Sequence, residues 1–193
     1  ISSMNAMDKI ISKNIFKKMK ILTPNFFYLD KEKFKKINLK KMINKTKISF
    51  PIVVKPSNEG SSIGVIICKN LEILKKTSKK LFRNYEKLIF EKYIPGQEVQ
   101  VAVMNGKALG AIELKPKRKF YDYKAKYQKS AKTIHIMPAN IPKKKYLEAL
   151  KISEKTHRAL KCRGVTRSDF KFFKKKLFLL EINTQPGMTD LSL

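Results

Sequence analysis

Asp169, Glu181, Asn183 and Arg167 lie in one stretch, Gly164–Met188, with the sequence GVTRSDFKFFKKKLFLLEINTQPGM. It reads as two strands around a short basic turn. About Lys175 it is nearly a mirror, with FKFF before the lysines and LFLL after them. An antiparallel hairpin with loop Lys174–Lys176 sets residues equidistant from Lys175 opposite each other. Asp169 then faces Glu181, and Arg167 faces Asn183. Alternation puts all four on one face and leaves Phe170, Phe172, Phe178, Leu180 and Ile182 for the core face. Asp, Glu and Asn oxygens are what a hard divalent cation such as Mg²⁺ takes, often sharing its shell with phosphate oxygens. The same residues would also suit a solvated strand face laced with cross-strand salt bridges.

A second chemical pattern is FPIVVKPSNEGSSIGVIIC, residues 50–68. Pro51–Lys55 and Val65–Cys68 read as strands around a loop holding Gly60, Ser61, Ser62 and Gly64. Closely spaced backbone N–H groups and hydroxyls can cradle phosphate, and Lys55 at the strand end adds positive charge. The loop is not a Walker motif, which needs Lys-Ser/Thr after the last Gly and then a helix. An ordinary hairpin loop is the alternative. In the third pattern, KPKRKFYDYKAKYQKSAKTIHIMP (residues 115–138), Tyr121, Tyr123 and Tyr127 interleave with Lys124 and Lys126. Such interleaving suits stacked bases and phosphates, or a mobile lid rich in phosphate-binding lysines.

The elements that would position these residues can be read from periodicity. Ile10, Ile11, Ile15, Phe16 and Met19 follow helical spacing, with lysines on the other face, until Pro24. Phe26–Leu29 reads as a strand and Lys31–Lys36 as a short helix, followed by a polar lead-in. Asn70–Asn84 is a helix with Leu71, Leu74 and Leu81 on one side. Leu88–Phe90 is a strand, and Glu91-Lys92-Tyr93-Ile94 is a connector able to offer its backbone to a planar base. Glu98–Met104 and Leu109–Leu114 form a hairpin about Asn105-Gly106. Lys143–Lys161 is a helix with Leu147, Leu150, Ile152, Thr156 and Leu160 along one stripe. His135 reads as structural and His157 as a surface residue.

The 193 residues can hold one large domain or two small ones, and 42% hydrophobic content with 12 Phe can fill a core. No apolar run nears the ~20 residues needed to span a bilayer. Cys68 and Cys162 fit no metal or redox spacing and read as reduced thiols, so a cytoplasmic setting is expected. The net charge of +29 invites a nucleic-acid partner. However, the lysines are spread over nearly every segment. With Asn and Ile abundant and Trp absent, the composition reads as drift toward A/T-rich codons, and no specific nucleic acid is expected. The chain starts at Ile1 with no strand–turn–helix ahead of its first helix, so an upstream segment is expected.

Taken together and in order, AMDK, VVKPSNEGSSIGV, EKYIPGQEVQVAV, FYDYKAKY and RSDF…LLEINTQPGMT resemble the D-alanine–D-alanine ligase family of the ATP-grasp superfamily. The resemblance implies an α+β, antiparallel-sheet-rich ATP-grasp fold, two subdomains closing on ATP. They would be residues 1–92, with phosphate loop 55–64, and 93–193, with lid loop 119–130 and metal hairpin 164–188. These resemble the second and third parts of the family's three-part fold, without the N-terminal domain or the last helical segment.

By the same resemblance, Lys9 and Lys55 would hold ATP phosphates. Glu91, Lys92, Tyr93 and Ile94 would bind adenine, and Glu98 the ribose. Ser61 and Tyr127 would orient the amino acids and latch the lid, and Lys126 would sit over the transferring phosphate. Asp169, Glu181 and Asn183 would ligate two Mg²⁺ or Mn²⁺ ions. Arg167 and the Gly187 N–H would form an oxyanion hole, a kind of contact worth about 3 kcal/mol. Ser192 and Leu193 would bind the second substrate's carboxylate. The implied reaction is ATP-dependent joining of two D-alanines through an acyl phosphate for peptidoglycan synthesis, with homodimerisation open and no membrane partner.

Overall fold

A computed structural model describes residues 2–115 and 133–187. The chain divides into two compact units, residues 1–23 with 94–193, and residues 24–93. The expected division after residue 92 nearly meets the boundary at Tyr93/Ile94, but the first 23 residues group with the C-terminal part instead. Their apolar residues explain it. Ala6, Phe16 and Ile21 belong to the same buried cluster as Val99, Val101, Phe170 and Ile182.

Helices α1 (Ser2–Met7) and α2 (Lys9–Lys18) open the first unit. Asp8 separates them and caps α2, accepting from the N–H groups of Ile10 at 2.8 Å and Ile11 at 3.1 Å. The face of α2 differs from the periodicity reading. Ile11 is exposed, whereas Lys9 and Lys13 are buried one turn apart. The Lys13 ammonium donates to Thr23 Oγ1 at 2.8 Å, so a lysine reaches inward where it finds an oxygen.

The second unit holds β1 (Phe26–Asp30), α3 (Lys31–Lys36), α4 (Leu39–Thr46), β2 (Ile52–Pro56), β3 (Ile66–Cys68), α5 (Leu71–Leu81) and β4 (Lys87–Lys92). Its strands lie in the order β1-β4-β2-β3, each pair antiparallel. Alternation sends Ile52 and Val54 of β2 and Leu88 and Phe90 of β4 to the core under the helices. Phe27 stacks on Phe90 with centroids 4.8 Å apart. Helix α4 was not expected in the polar lead-in. Asn38 caps it through the Lys41 N–H at 3.1 Å, and only Leu39 and Ile43 are buried, a stripe too thin for its lysine-rich surroundings to reveal.

The first unit resumes with β5 (Gln97–Met104), β6 (Lys107–Lys115), β7 (Ile134–Ile136), α6 (Lys143–Ala159), β8 (Val165–Phe173) and β9 (Lys176–Asn183). The sheet runs β7-β6-β5-β8-β9, antiparallel throughout. Helix α6 packs on its core face through Ala149, Ser153 and Thr156, with Leu160 just beyond. Leu147, expected in that stripe, is 47% exposed. His157, expected at the surface, is buried with Nδ1 2.9 Å from Thr166 Oγ1 on β8. His135 lies exposed on edge strand β7. At the Pro95-Gly96 turn, Gly96 has φ +109° and packs on the Phe172 carbonyl so closely that a Cβ would collide with it. Among the described residues no helix is long and apolar enough to cross a membrane.

Candidate functional site

The hairpin β8–β9 pairs Arg167 with Asn183 and Asp169 with Glu181, as the mirror pattern predicts. The route to that register differs from the expected one. The turn has two residues, Lys174 and Lys175, both at positive φ, and Phe173 pairs with Lys176. That would shift every pair by one residue. A bulge restores the register, since Phe170 pairs with Leu179 while Asp169 pairs with Glu181, and Leu180 is the extra residue. The core set changes accordingly. Leu177 and Leu179 are buried with Phe170 and Ile182, while Phe178 and Leu180, expected in the core, are only partly covered.

On the site face, Arg167 grips Asp169 with two charge-assisted bonds, Nε to Oδ1 at 2.8 Å and Nη2 to Oδ2 at 3.1 Å. Both side chains are largely withdrawn from solvent, 16% and 4% exposed. Glu181 meets Lys9 of α2, Nζ to Oε2, at 3.4 Å. Lys9 and Glu181, assigned to different ligands by resemblance, therefore touch. Asn183 turns its Oδ1 to the Gln185 N–H at 3.1 Å, which shapes the strand's exit. Gly187 lies beyond that exit, exposed at the end of the described segment. Glu98 on β5 pairs with Lys171 across the strands at 3.1 Å.

One residue on this face escaped the sequence reading. Gln100 on β5 stands opposite Asp169, so Gln100, Asp169 and Glu181 form a row across three strands. It is 3% exposed, and its Oε1 has no hydrogen-bond partner among the described residues. The signal was available in Glu98–Met104, where alternation places Gln100 on the face of Glu98.

The donor set suits a hard divalent cation, with two carboxylates, an amide and the buried Gln100 oxygen on neighbouring strands. No group of three or more His, Cys, Asp or Glu side chains placed to hold a metal ion occurs among the described residues. Such a site therefore relies on amide oxygens to supplement its two carboxylates.

The second unit carries its own polar pair. Lys55 Nζ lies 2.7 Å from Glu91 Oε1, both side chains under a tenth exposed. They sit on β2 and β4 and face away from the helix-covered core. After β2, residues 57–65 turn tightly, with Ile63 N–H to Gly60 O at 2.9 Å and Val65 N–H to Ser62 O at 3.2 Å. Ser61 and Ser62 have φ of 51° and 63°, two successive residues in the left-handed region. Gly64, also at positive φ, packs 2.9 Å (for an added Cβ) from the Pro56 ring, which leaves room for no other residue. Lys92 ends β4, and Tyr93 and Ile94 straddle the unit boundary. Lys126 and Tyr127, expected on a lid, and Ser192 and Leu193, expected to bind a carboxylate, lie outside the described residues.

Two antiparallel sheets, each covered on one face by helices, define an α+β protein of the ATP-grasp type. The family model described as "D-ala D-ala ligase C-terminus" matches residues 15–193, and the chain belongs to that family. A D-alanine–D-alanine ligase from Pelagibacter ubique is 54% identical over all 193 residues, which cover 62% of that relative. The crystal structure of the Bacillus anthracis D-alanine–D-alanine ligase superposes with a TM-score of 0.84 at 35% identity, covering 100% of this chain and 61% of that one. The same enzyme complexed with ATP gives 0.82 at 30% identity over 59% of its length. The chain thus spans about three fifths of the length of the relatives it matches.

Proposed function

We propose that this chain is the ATP- and metal-binding part of a ligase that joins two D-alanines into D-alanyl-D-alanine, with release of ADP, for peptidoglycan precursors. The observation that carries the reading is the single face bearing Arg167, Asp169, Glu181 and Asn183. A carboxylate is a poor electrophile, so one D-alanine would first take the γ-phosphate to become an acyl phosphate. Lys9 would hold ATP phosphate, and so would Lys55, with the turn at Ser61–Gly64 after the Lys55 strand offering N–H groups to phosphate as well. Asp169, Glu181 and Asn183 would hold Mg²⁺ or Mn²⁺, which when bound offsets charge on the phosphates. The amine of a second D-alanine would then displace phosphate, and Arg167 with the Gly187 N–H would stabilise the oxyanion at the acyl carbon. Lys126 and Tyr127 would close over the reaction, and the connector Glu91–Ile94 and Glu98 would seat adenosine.

Calorimetric titration with ATP and GTP, with and without Mg²⁺ in about 0.15 M salt, tests the reading, because that salt screens bulk attraction to a basic surface. Saturable, Mg²⁺-linked binding that prefers ATP and falls at least tenfold in Asp169→Asn is expected. Binding indifferent to base and metal, fading with salt, would sink it.

A further inference from the structure

We propose that Gln100 is a further oxygen donor of the divalent-cation site. Its amide Oε1 enters the shell of the cation held by Asp169 and Glu181. The inference rests on the reading of those two carboxylates as cation ligands, and adds a residue from a different strand.

The argument begins with register. Gln100 pairs with Asp169, and Asp169 with Glu181, so the three side chains leave one face in a row perpendicular to the strands. The row continues on β6 with Ile112, which offers no polar atom. Gln100 is 3% exposed and its Oε1 has no hydrogen-bond donor among the described residues. A buried carbonyl-type oxygen beside a carboxylate needs a donor or a cation. The basic neighbours on the face have acidic partners, Lys9 on Glu181 among them. Arg167, level with Ala102, gives two bonds to Asp169, and Lys171, level with Glu98, pairs with Glu98. A cation against Asp169 would satisfy the amide oxygen and the carboxylate at once. Neutral amide oxygens are ordinary ligands of hard cations, and two carboxylates leave most of a six-oxygen shell to fill.

The test uses the full chain and Mn²⁺ alone, followed by titration and by water-proton relaxation, which counts inner-sphere waters on bound Mn²⁺. Gln100→Leu, close in volume and without the polar atom, is expected to bind Mn²⁺ about tenfold more weakly, the scale seen for lost supporting contacts in metal sites. The Mn²⁺ that does bind should carry one more exchangeable water. Gln100→Glu, which keeps an oxygen there and adds charge, is expected to bind at least as tightly as the parent. Unchanged affinity and water count in Gln100→Leu, with binding lost in Asp169→Asn, would overturn the role of Gln100 and leave the cation site standing. Unchanged binding in Asp169→Asn as well would overturn both. Weakened binding in Gln100→Leu without an added water would mark a packing effect and also overturn the proposal.

Discussion

Each carboxylate singled out above, in either unit, meets a protein cation of its own unit. Asp169 has Arg167, Glu181 has Lys9, Glu98 has Lys171 and Glu91 has Lys55. Removing one member of such a pair strands a charge in a poorly solvated place, which costs more than the pair itself contributes. Lys9–Glu181, like Lys171–Glu98 and Lys55–Glu91, is a pair that sequence could not foresee, because its members sit on separate elements. His157 shows the same blindness. Its helical position gives no sign that Thr166 lies across from it, yet burial and the nearby Arg158 charge hold its imidazole below the ordinary 6.5. A histidine kept neutral by the fold stabilises it above the unfolded value, and that stability is lost as pH falls through 6.5 toward the depressed folded value. Urea unfolding from about pH 7.5 down to 5.5 should show a decline that His157→Asn makes shallower. Parallel declines in the two proteins would assign the acid sensitivity to other groups.

At the scale of elements, hairpin β8–β9 shows why a sequence can give the right partners by the wrong path. The mirror about Lys175 is legible because the site residues and the core residues both alternate. Three consecutive lysines carry no mark of which two form the turn, and bulges have no pattern of their own in so apolar a strand. The turn and the bulge each shift the register by one residue, and the shifts cancel at Asp169 and Glu181. The turn residues Lys174 and Lys175 have φ of 46° and 60°, conformations that cost an L-residue with a Cβ about 1 kcal/mol or more. Replacing them with Asn-Gly, the pair best suited to a two-residue hairpin turn, should stabilise the chain by about 1 kcal/mol without moving the site. Thermal unfolding reads the gain. A lower melting temperature would mean that the lysine side chains support the turn in some further way, as Lys174 over the Phe173 ring at 5.6 Å could.

At the scale of the whole molecule, the sheets were legible and the assignment of the N-terminal helix was not. Strands and helices announce themselves by period, but which sheet a helix covers depends on contacts remote in sequence, here Phe16 with the cluster of β5, β8 and β9. The two buried clusters are each confined to one unit, so each can close its own core. What remains is a net charge of +29, from 44 Lys and Arg spread over both units and only partly answered by 15 acids. Several of those acids are committed to the buried pairs above, which leaves the lysines on the surface to repel one another. Self-repulsion of this size works against the compact state, and salt relieves it over a Debye length of about 10 Å at 0.1 M. The melting temperature should therefore rise by several degrees between ~0.02 M and ~0.3 M salt, to the same extent with chloride and acetate at equal ionic strength. Such a rise fits a basic surface that carries no polyanion of its own. A steep gain confined to phosphate-bearing polymers at sub-stoichiometric amounts, with little response to simple salt, would instead make the charge a built binding face and return nucleic acid to the list of partners.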